Sequence, residues 1–333
     1  MGSFRLILAL LVLASHVGIY VWHRNEGVFA VASFFLLSGY VMTAQIRKHY
    51  DDGDKIVHFY FDRLLRLYPQ FLLYLALTLS LLAFYHPKSH WLSEITLAHI
   101  ILNVLLVPMD FHWMIGLSHG LLIPQTWTLG LEVQFYLLLP LLLLYRIRRP
   151  ALLLSLPVFA LAFFHLLDPV SLGYRWIPGT LFIFLCGSLL YDADRIRDTR
   201  LLPGVWLFAA ALFAACLARP ELQGPYVPEV LSGFLLGLPI VAVLKKRNFG
   251  PLDDLLGNLS YGVFLNHWLL IWICQAFKIE LETAAAKLLF AAASILLAWI
   301  SYKCVEKPVI AYRNRKRDVR SAVLHTSHLA YGL

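Results

Sequence analysis

The chain has 333 residues, of which 60% are hydrophobic and only 14% are charged, and its formal net charge is +8. Soluble globular proteins average about 45–50% apolar and about 25% charged residues. The composition therefore excludes an ordinary soluble enzyme and leaves little chain for a sizeable soluble domain.

Ten apolar stretches approach the length that a helix needs to cross a bilayer, about 20 residues. They are continuously apolar, whereas the strands of a membrane barrel alternate apolar and polar residues. We therefore predict an all-α fold, a polytopic transmembrane helical bundle of about ten spanning helices. The predicted spans are residues 4–22, 28–46, 69–85, 131–145, 151–167, 176–191, 203–218, 229–244, 256–276 and 284–303.

Basic residues predict how the bundle is oriented, because Lys and Arg collect in short cytoplasmic loops. With ten spans and an inside N-terminus, the basic clusters at 146–149, 195–200 and 245–247 all fall on the cytoplasmic side. Counting the short apolar segment 95–109 as an eleventh span would scatter these clusters over both sides, so it is predicted not to cross. Both termini are predicted to be cytoplasmic, in a plasma (inner) membrane, and the positive charge indicates orientation rather than nucleic-acid binding.

The two ends of the chain allow alternative interpretations. The first apolar stretch resembles a cleaved signal peptide, but it continues past His16 to Trp22, and an uncleaved helix preserves the even number of spans. Residues 1–308 are predicted to form the membrane domain, and 309–333 a basic cytoplasmic tail that is solvated or touches anionic head groups. The four cysteines lack the spacing of zinc ligands, so no metal is predicted.

Ionisable side chains inside apolar helices are costly, so each is a candidate site residue. His16 lies eleven residues after Arg5, which places it roughly 16 Å along a helix, toward the outer face. Its imidazole suits a general base for a hydroxyl nucleophile, although a lone histidine also serves in packing. Glu132 opens a span at the same outer end, where it would either orient the imidazole or stabilise its own helix N-terminus. His267, in the middle of 256–276, is favoured as a packing residue.

Arg63 and Arg66 are three residues apart and share a face if they are helical. They lie just inside the cytoplasmic end of the third span, which Pro69 is predicted to open. Two guanidinium groups suit a phosphorylated ligand through charge-assisted bonds. The alternative is that they are ordinary positive-inside flanking residues. Ser38 and Gly39 in the second span are predicted to allow close helix contact.

Six short sequence features occur in a fixed order along the apolar region. They are Arg5 followed after ten residues by His16, FFLLSGY at 34–40, FDRLLRLYP at 61–69, WTLGLEVQFYLLLP at 127–140, LSYGVFLNHW at 259–268 and VEKP at 305–308. In this order and spacing, the set resembles the acyltransferase-3 family of integral membrane acyltransferases. The resemblance extends over almost the whole membrane region, and it implies that residues 1–308 form one acyltransferase domain.

The resemblance implies an O-acetyltransferase that takes an acyl group, commonly acetyl, from cytoplasmic acetyl-CoA or another acyl-CoA. The acceptor would be a hydroxyl of an extracytoplasmic sugar or lipid-linked glycan. It implies that His16 is catalytic. The predicted topology places the arginine pair inside and His16 and Glu132 nearer the outside, so we expect Glu132 to orient His16 and a passage to lead there from the donor phosphates. The residues expected to hold those phosphates are Arg63, Arg66 and Arg5. Substrate or structural support is expected from Ser38, Trp127, Tyr136, Tyr261 and His267.

Three positions depart from the family's pattern. Val133 stands where a second carboxylate often follows Glu132, and Asn266 and Leu269 replace an aromatic residue and a proline around His267. A competing interpretation is a transporter or flippase of a lipid-linked glycan, which would also need many helices and intramembrane charges. It does not explain the spacing of the six features, and a non-catalytic membrane scaffold explains none of the charged positions.

Overall fold

The computed structural model describes residues 1–20, 24–50, 55–85, 87–193, 201–247 and 249–315. Within these ranges the regular structure is helical and contains no β-strand, which confirms the all-α prediction. The helices are α1 Gly2–His16, α2 Glu26–His49, α3 Ile56–Phe84, α4 Leu97–Leu105, α5 Val107–Asp110, α6 Trp127–Leu144, α7 Arg148–Phe163, α8 Ile177–Asp192, α9 Leu201–Ala218, α10 Val227–Leu244, α11 Pro251–Ala276 and α12 Ala284–Ser301.

Seven helical stretches in the described part of the chain are long and apolar enough to cross a bilayer. They are Glu26–His49, Ile56–Phe84, Pro124–Leu144, Pro169–Asp192, Leu201–Ala218, Val227–Leu244 and Ala284–Arg315. The protein is therefore a multi-pass membrane protein. The predicted number of ten is not confirmed, because α1, α7 and α11 are not among the seven, and α1 and α7 have only 15 and 16 residues. The sidedness of the termini stays a prediction.

The segment 95–109 forms two short helices, α4 and α5, which are separated by Leu106 in a positive-φ conformation. α4 has nine residues, so it is about 14 Å long, less than half the thickness of the hydrocarbon core. The buried Asn103 ties it to the following loop, because its side chain donates to the carbonyl of Gly120 and accepts from the amide of Leu122. This structure agrees with the prediction that the segment does not cross.

The start of α3 differs from the prediction. Pro69 was expected to open the third span, but α3 begins at Ile56 and continues through Pro69 to Phe84. A proline removes one backbone donor, and a packed membrane bundle tolerates it inside a helix because neighbouring groups satisfy the freed carbonyl. As a result, Arg63 and Arg66 lie on the same rigid helix as the apolar segment, one turn apart.

α1 and α11 pack in parallel. Gly2 and Ser3 of α1 donate their backbone N–H groups to the carboxylate of Asp253, at 2.7 and 2.8 Å, and the Ser3 hydroxyl donates to it at 2.6 Å. At the other end of α1, His16 contacts His267 of α11. Both contacts join residues 251 positions apart in the sequence. The two helices therefore run in the same direction, as expected for the first and ninth predicted spans. This packing places the two imidazoles together.

α2 and α8 are in backbone contact where they cross. A Cβ atom built on Gly39 would lie 1.8 Å from the carbonyl oxygen of Phe184, and one on Gly187 would lie 1.9 Å from that of Leu36. Small residues allow such close approach between membrane helices, as predicted for Gly39. The crossing directs the neighbouring Ser38 toward the interior of the bundle.

We expect Gly39→Ala to destabilise the protein by about 1–3 kcal/mol, because the new methyl group would meet a backbone carbonyl that cannot rotate away. The matched control is Gly204→Ala on α9, where a Cβ atom would meet nothing within 4 Å. Thermal unfolding of the purified variants should show a lower melting temperature for Gly39→Ala only. Equal melting temperatures for the two variants would contradict the close crossing.

Candidate active site

Two cavities lie inside the bundle. The larger has a volume of about 320 Å³ and the smaller about 100 Å³. Val31, Thr128 and Phe264 line both, so the cavities adjoin at these three side chains. The polar residues lining the larger cavity include Arg5, Ser38, Arg63, Arg66, Glu132, Tyr136, Tyr261 and Arg313. Those of the smaller include Ser15, His16, Asn25, Gln125, Trp127, Tyr174, Arg175 and Tyr226.

The structure thus brings the predicted site residues to one region. All of them line one of the two cavities except His267, which contacts His16 directly. The expected passage between the arginine pair and His16 takes the form of two adjoining cavities rather than one open channel. Val31, Thr128 and Phe264 therefore lie where a ligand would have to pass.

Arg66, which lines the larger cavity, contacts both a carboxylate and an aromatic ring. Its guanidinium forms an ion pair with the buried Glu306 and lies over the ring of Tyr261, 5.4 Å from the ring centroid. The Tyr261 hydroxyl in turn donates to the carbonyl of Leu67, at 2.9 Å, which fixes α11 against α3. VEKP is one of the six sequence features, but no role was predicted for Glu306. The available signal was an acidic residue within an otherwise basic segment, which favours an ion pair.

Arg63 is buried and donates to Asp62 at 2.5 Å. Asp62 also accepts from Arg313, whose Nε and Nη2 atoms lie 2.8 and 2.6 Å from its two carboxylate oxygens. Arg313 was predicted to belong to a solvated basic tail, but the helical structure continues to Arg315 and Arg313 lines the larger cavity. The buried carboxylate of Asp62 provides the physical reason, since it requires positive partners. Residues 316–333 lie outside the described residues.

The walls of the larger cavity carry a net positive charge. Four arginines and Glu132 line it, and the adjacent carboxylates of Asp62 and Glu306 offset part of the positive charge. Arg5 reaches it from α1, within electrostatic range of Glu132 and Arg66. Arginines in such an arrangement suit a ligand that carries phosphate groups.

Glu132 accepts two hydrogen bonds on the same carboxylate oxygen, from the hydroxyls of Ser38 and Tyr136, each at 2.5 Å. Glu132 was predicted to lie in the first turn of its helix. α6 begins at Trp127, however, so Glu132 lies in the second turn. Stabilisation of the helix N-terminus therefore does not explain it. The prediction that Glu132 orients the His16 imidazole is also corrected, because the hydrogen-bond partner of that ring is His267.

The two imidazoles form a directed chain. Nδ1 of His267 lies 3.1 Å from the carbonyl oxygen of Val263, and a carbonyl only accepts, so this nitrogen carries a proton. In neutral His267, Nε2 is then the acceptor, and Nδ1 of His16, 3.1 Å away, donates to it. Neutral His16 consequently keeps its lone pair on Nε2. His267, favoured as a packing residue from the sequence, thus favours the His16 tautomer in which Nε2 is unprotonated.

Asn266 is one of the departures from the family pattern, and its side chain is not part of the hydrogen-bonded pair of imidazoles. Its amide donates to the carbonyl of Ser294 at 2.8 Å, and the Ser294 hydroxyl donates back to it at 2.5 Å. The side chain therefore connects α11 to α12, and it lines neither of the two cavities.

A family model described as an acyltransferase domain matches residues 3–303, which include every predicted site residue. The chain belongs to this acyltransferase family, which confirms the resemblance. An uncharacterised protein of Aquifex aeolicus is 36% identical over 159 residues, covering 46% of this chain and 72% of that protein. The peptidoglycan O-acetyltransferase OatA of Listeria monocytogenes is 24% identical over 352 aligned residues, covering 92% of this chain and 55% of OatA. No solved structure matches the chain.

Proposed function

We propose that the protein is an O-acetyltransferase of the plasma (inner) membrane, with both termini in the cytoplasm. It takes an acyl group, normally acetyl, from cytoplasmic acyl-CoA and transfers it to a hydroxyl of an extracytoplasmic sugar or lipid-linked glycan. One observation carries this proposal: a cationic cavity adjoins a smaller cavity that contains an oriented histidine. Membership of the acyltransferase family and the similarity to OatA support the reaction type.

The larger cavity receives the donor in this proposal. Coenzyme A carries phosphate groups at one end and the thioester at the other, so the arginines would hold the first and leave the second free to extend. Both arginines already pair with a carboxylate, but the Arg66 side chain is partly exposed whereas Arg63 is buried, so Arg66 is the better suited to this role. The thioester would then reach the smaller cavity past Thr128 and Phe264. Glu132 holds the hydroxyls of Ser38 and Tyr136 along this path.

The smaller cavity is where transfer occurs in this proposal. Nε2 of His16 removes the proton from the acceptor hydroxyl as its oxygen forms a bond to the thioester carbon. The carbon–sulfur bond then breaks, and the coenzyme A thiolate leaves and is protonated by the imidazolium or by water. An acyl-histidine intermediate is the alternative route. A single-turnover experiment with labelled acetyl-CoA and no acceptor distinguishes direct transfer from the acyl-histidine route, since only the covalent route leaves label on the protein.

The proposal is tested with purified protein, labelled acetyl-CoA and candidate glycans. Release of coenzyme A together with labelled glycan supports an acetyltransferase, while movement of a lipid-linked glycan across the membrane without acetylation supports a flippase. Comparing acetylation of cell-surface glycans in cells with and without the gene would identify the acceptor.

We expect His267→Phe to lower kcat by about 10-fold or more while the KM for acetyl-CoA changes little, because removing the acceptor on His267 leaves the His16 tautomer unfixed. His267→Gln keeps an acceptor and should recover part of the rate. A steady-state comparison of both variants, with melting temperatures alongside, checks this positioning role. Equal rates in the Phe and Gln variants would contradict it.

A further inference from the structure

Arg175 lies in the smaller cavity with His16, although none of the six sequence features contains it. Its guanidinium lies over the ring of Trp127, 5.0 Å from the ring centroid, and its Nη1 atom is 3.2 Å from Nε2 of His112. Its Nε atom has no hydrogen-bond partner among the described residues. A guanidinium has five N–H donors, so this side chain is held in position but left with unused donors.

The groups around Arg175 leave its charge uncompensated. Nδ1 of His112 donates to the carbonyl of Met109, so Nε2 accepts from Arg175. Burial and the charge of Arg175 lower the pKa of His112 to about 4, which keeps this ring neutral. Burial raises the pKa of the nearby Asp110 to about 8, against the opposing effects of a hydrogen bond from Gln134 and of the Arg175 charge, so this carboxyl forms no ion pair with Arg175.

A second acidic group near this cavity, Glu229, has other partners. Glu229 lies 3.8 Å from Arg24 and accepts from the backbone amide of Asn25. Within the described ranges, no carboxylate forms an ion pair with Arg175. A partly buried cation in a cavity thus lacks its counter-charge, and that is costly unless a ligand supplies it.

The rest of the lining fits a sugar ring. Trp127, Tyr174 and Tyr226 supply aromatic surface, and Asn25 and Gln125 supply polar groups. Aromatic surface with a few placed polar groups is typical of sites for small organic ligands. The volume of about 100 Å³ has room for part of a single ring and its substituent, not for a polymer.

We propose that Arg175 binds a carboxylate on the acceptor sugar, so that the smaller cavity selects acidic glycans of the uronic-acid type. This inference rests on the proposed function, because it assigns the acceptor to the cavity of His16. With Nη1 engaged by His112 and Nε buried, the Nη2 atom remains for a carboxylate oxygen. A single positive charge favours a carboxylate over a diphosphate.

The test uses three small acceptors: methyl glucuronoside, its uncharged carboxamide, and methyl glucoside. Their affinities for the purified full chain are measured calorimetrically without acetyl-CoA, and acetyl transfer is measured with it. We expect the wild type to bind the carboxylate at least tenfold more tightly than the carboxamide. Arg175→Gln should remove this preference, while Arg175→Lys should retain part of it. Arg219→Gln, which removes an exposed positive charge from a loop outside the cavity, should leave it intact.

Equal affinity of the wild type for the carboxylate and the carboxamide would overturn the inference, whatever the variants do. A preference that survives in a folded Arg175→Gln protein would also overturn it. If acetyl transfer occurs without any preference, the inference fails and the proposed function stands. If the Arg175-dependent binding preference is present but no acetyl-CoA is consumed with any acceptor, the anion selectivity of the cavity stands and the proposed reaction fails.

Discussion

His16→Ala should lower kcat for acetyl transfer by about 10²–10⁴-fold, the range that a positioned general base contributes. The expectation rests on the proposed function: His16 lines the smaller cavity and its Nδ1 atom is committed to His267, which leaves Nε2 as the proposed base. Donor binding should change little, since the arginines of the larger cavity are untouched. The measurement is the rate of coenzyme A release at saturating acetyl-CoA and acceptor.

The matched control is His90→Ala, which removes an exposed histidine from a loop outside both cavities. It should retain the wild-type rate. A His16→Ala protein that is folded and works within a few-fold of the wild type would show that another group accepts the proton.

Arg66→Ala should raise the KM and Kd for acetyl-CoA by roughly 10–100-fold, since charge-assisted hydrogen bonds contribute about 1.5–3 kcal/mol. The rate of the bound complex should change far less, because in the proposed function Arg66 contacts the donor phosphates and not the reacting carbon. Binding is measured directly with labelled acetyl-CoA. The substitution also leaves the buried Glu306 without its partner, so the double variant Arg66→Ala/Glu306→Gln is made beside it to remove that charge.

A phosphate-free donor provides the sharper control. S-acetyl-N-acetylcysteamine carries the thioester but no phosphate, so the wild type and the Arg66 variants should use it equally well. Unchanged affinity of Arg66→Ala for acetyl-CoA would remove the phosphate-binding role, and equal losses with both donors would point to a damaged fold.

The sequence predicted the helices because each apolar run is a local property of the chain. Helix ends were predicted less well where local signals conflicted with packing. Pro69 normally marks a helix start, but a packed membrane bundle tolerates a proline inside a helix, and α3 continues through it. Segment 95–109 was predicted not to cross because its length is itself a local quantity, and its longer helix has nine residues.

The site residues were predictable individually, but their pairing was not. His16 and Glu132 were placed at the same end of the bundle by counting along helices, which does not reveal which faces meet. The contact between Gly2 and Asp253 fixes how α1 packs on α11. In this packing His16 forms its hydrogen bond with His267 and not with Glu132. Glu306 and Arg313 were missed as site residues for the same reason, since each finds its partner on α3.

Arg175 illustrates the limit of reading sequence features. In the sequence it was one basic residue beside a predicted span, with no neighbour that suggested a ligand. Only the fold shows that the chain directs it into the cavity of His16 and surrounds it with neutral partners.

The central claim is that the acetyl group passes from the arginine cavity to the histidine cavity within one protein, and so from one side of the membrane to the other. It is tested with purified protein in liposomes of uniform orientation, with labelled acetyl-CoA on the side of Arg66 and the glycan acceptor on the side of His16. The account predicts labelled glycan in this arrangement, and none when the two substrates are exchanged. Labelled glycan that forms only when donor and acceptor share one side would contradict it.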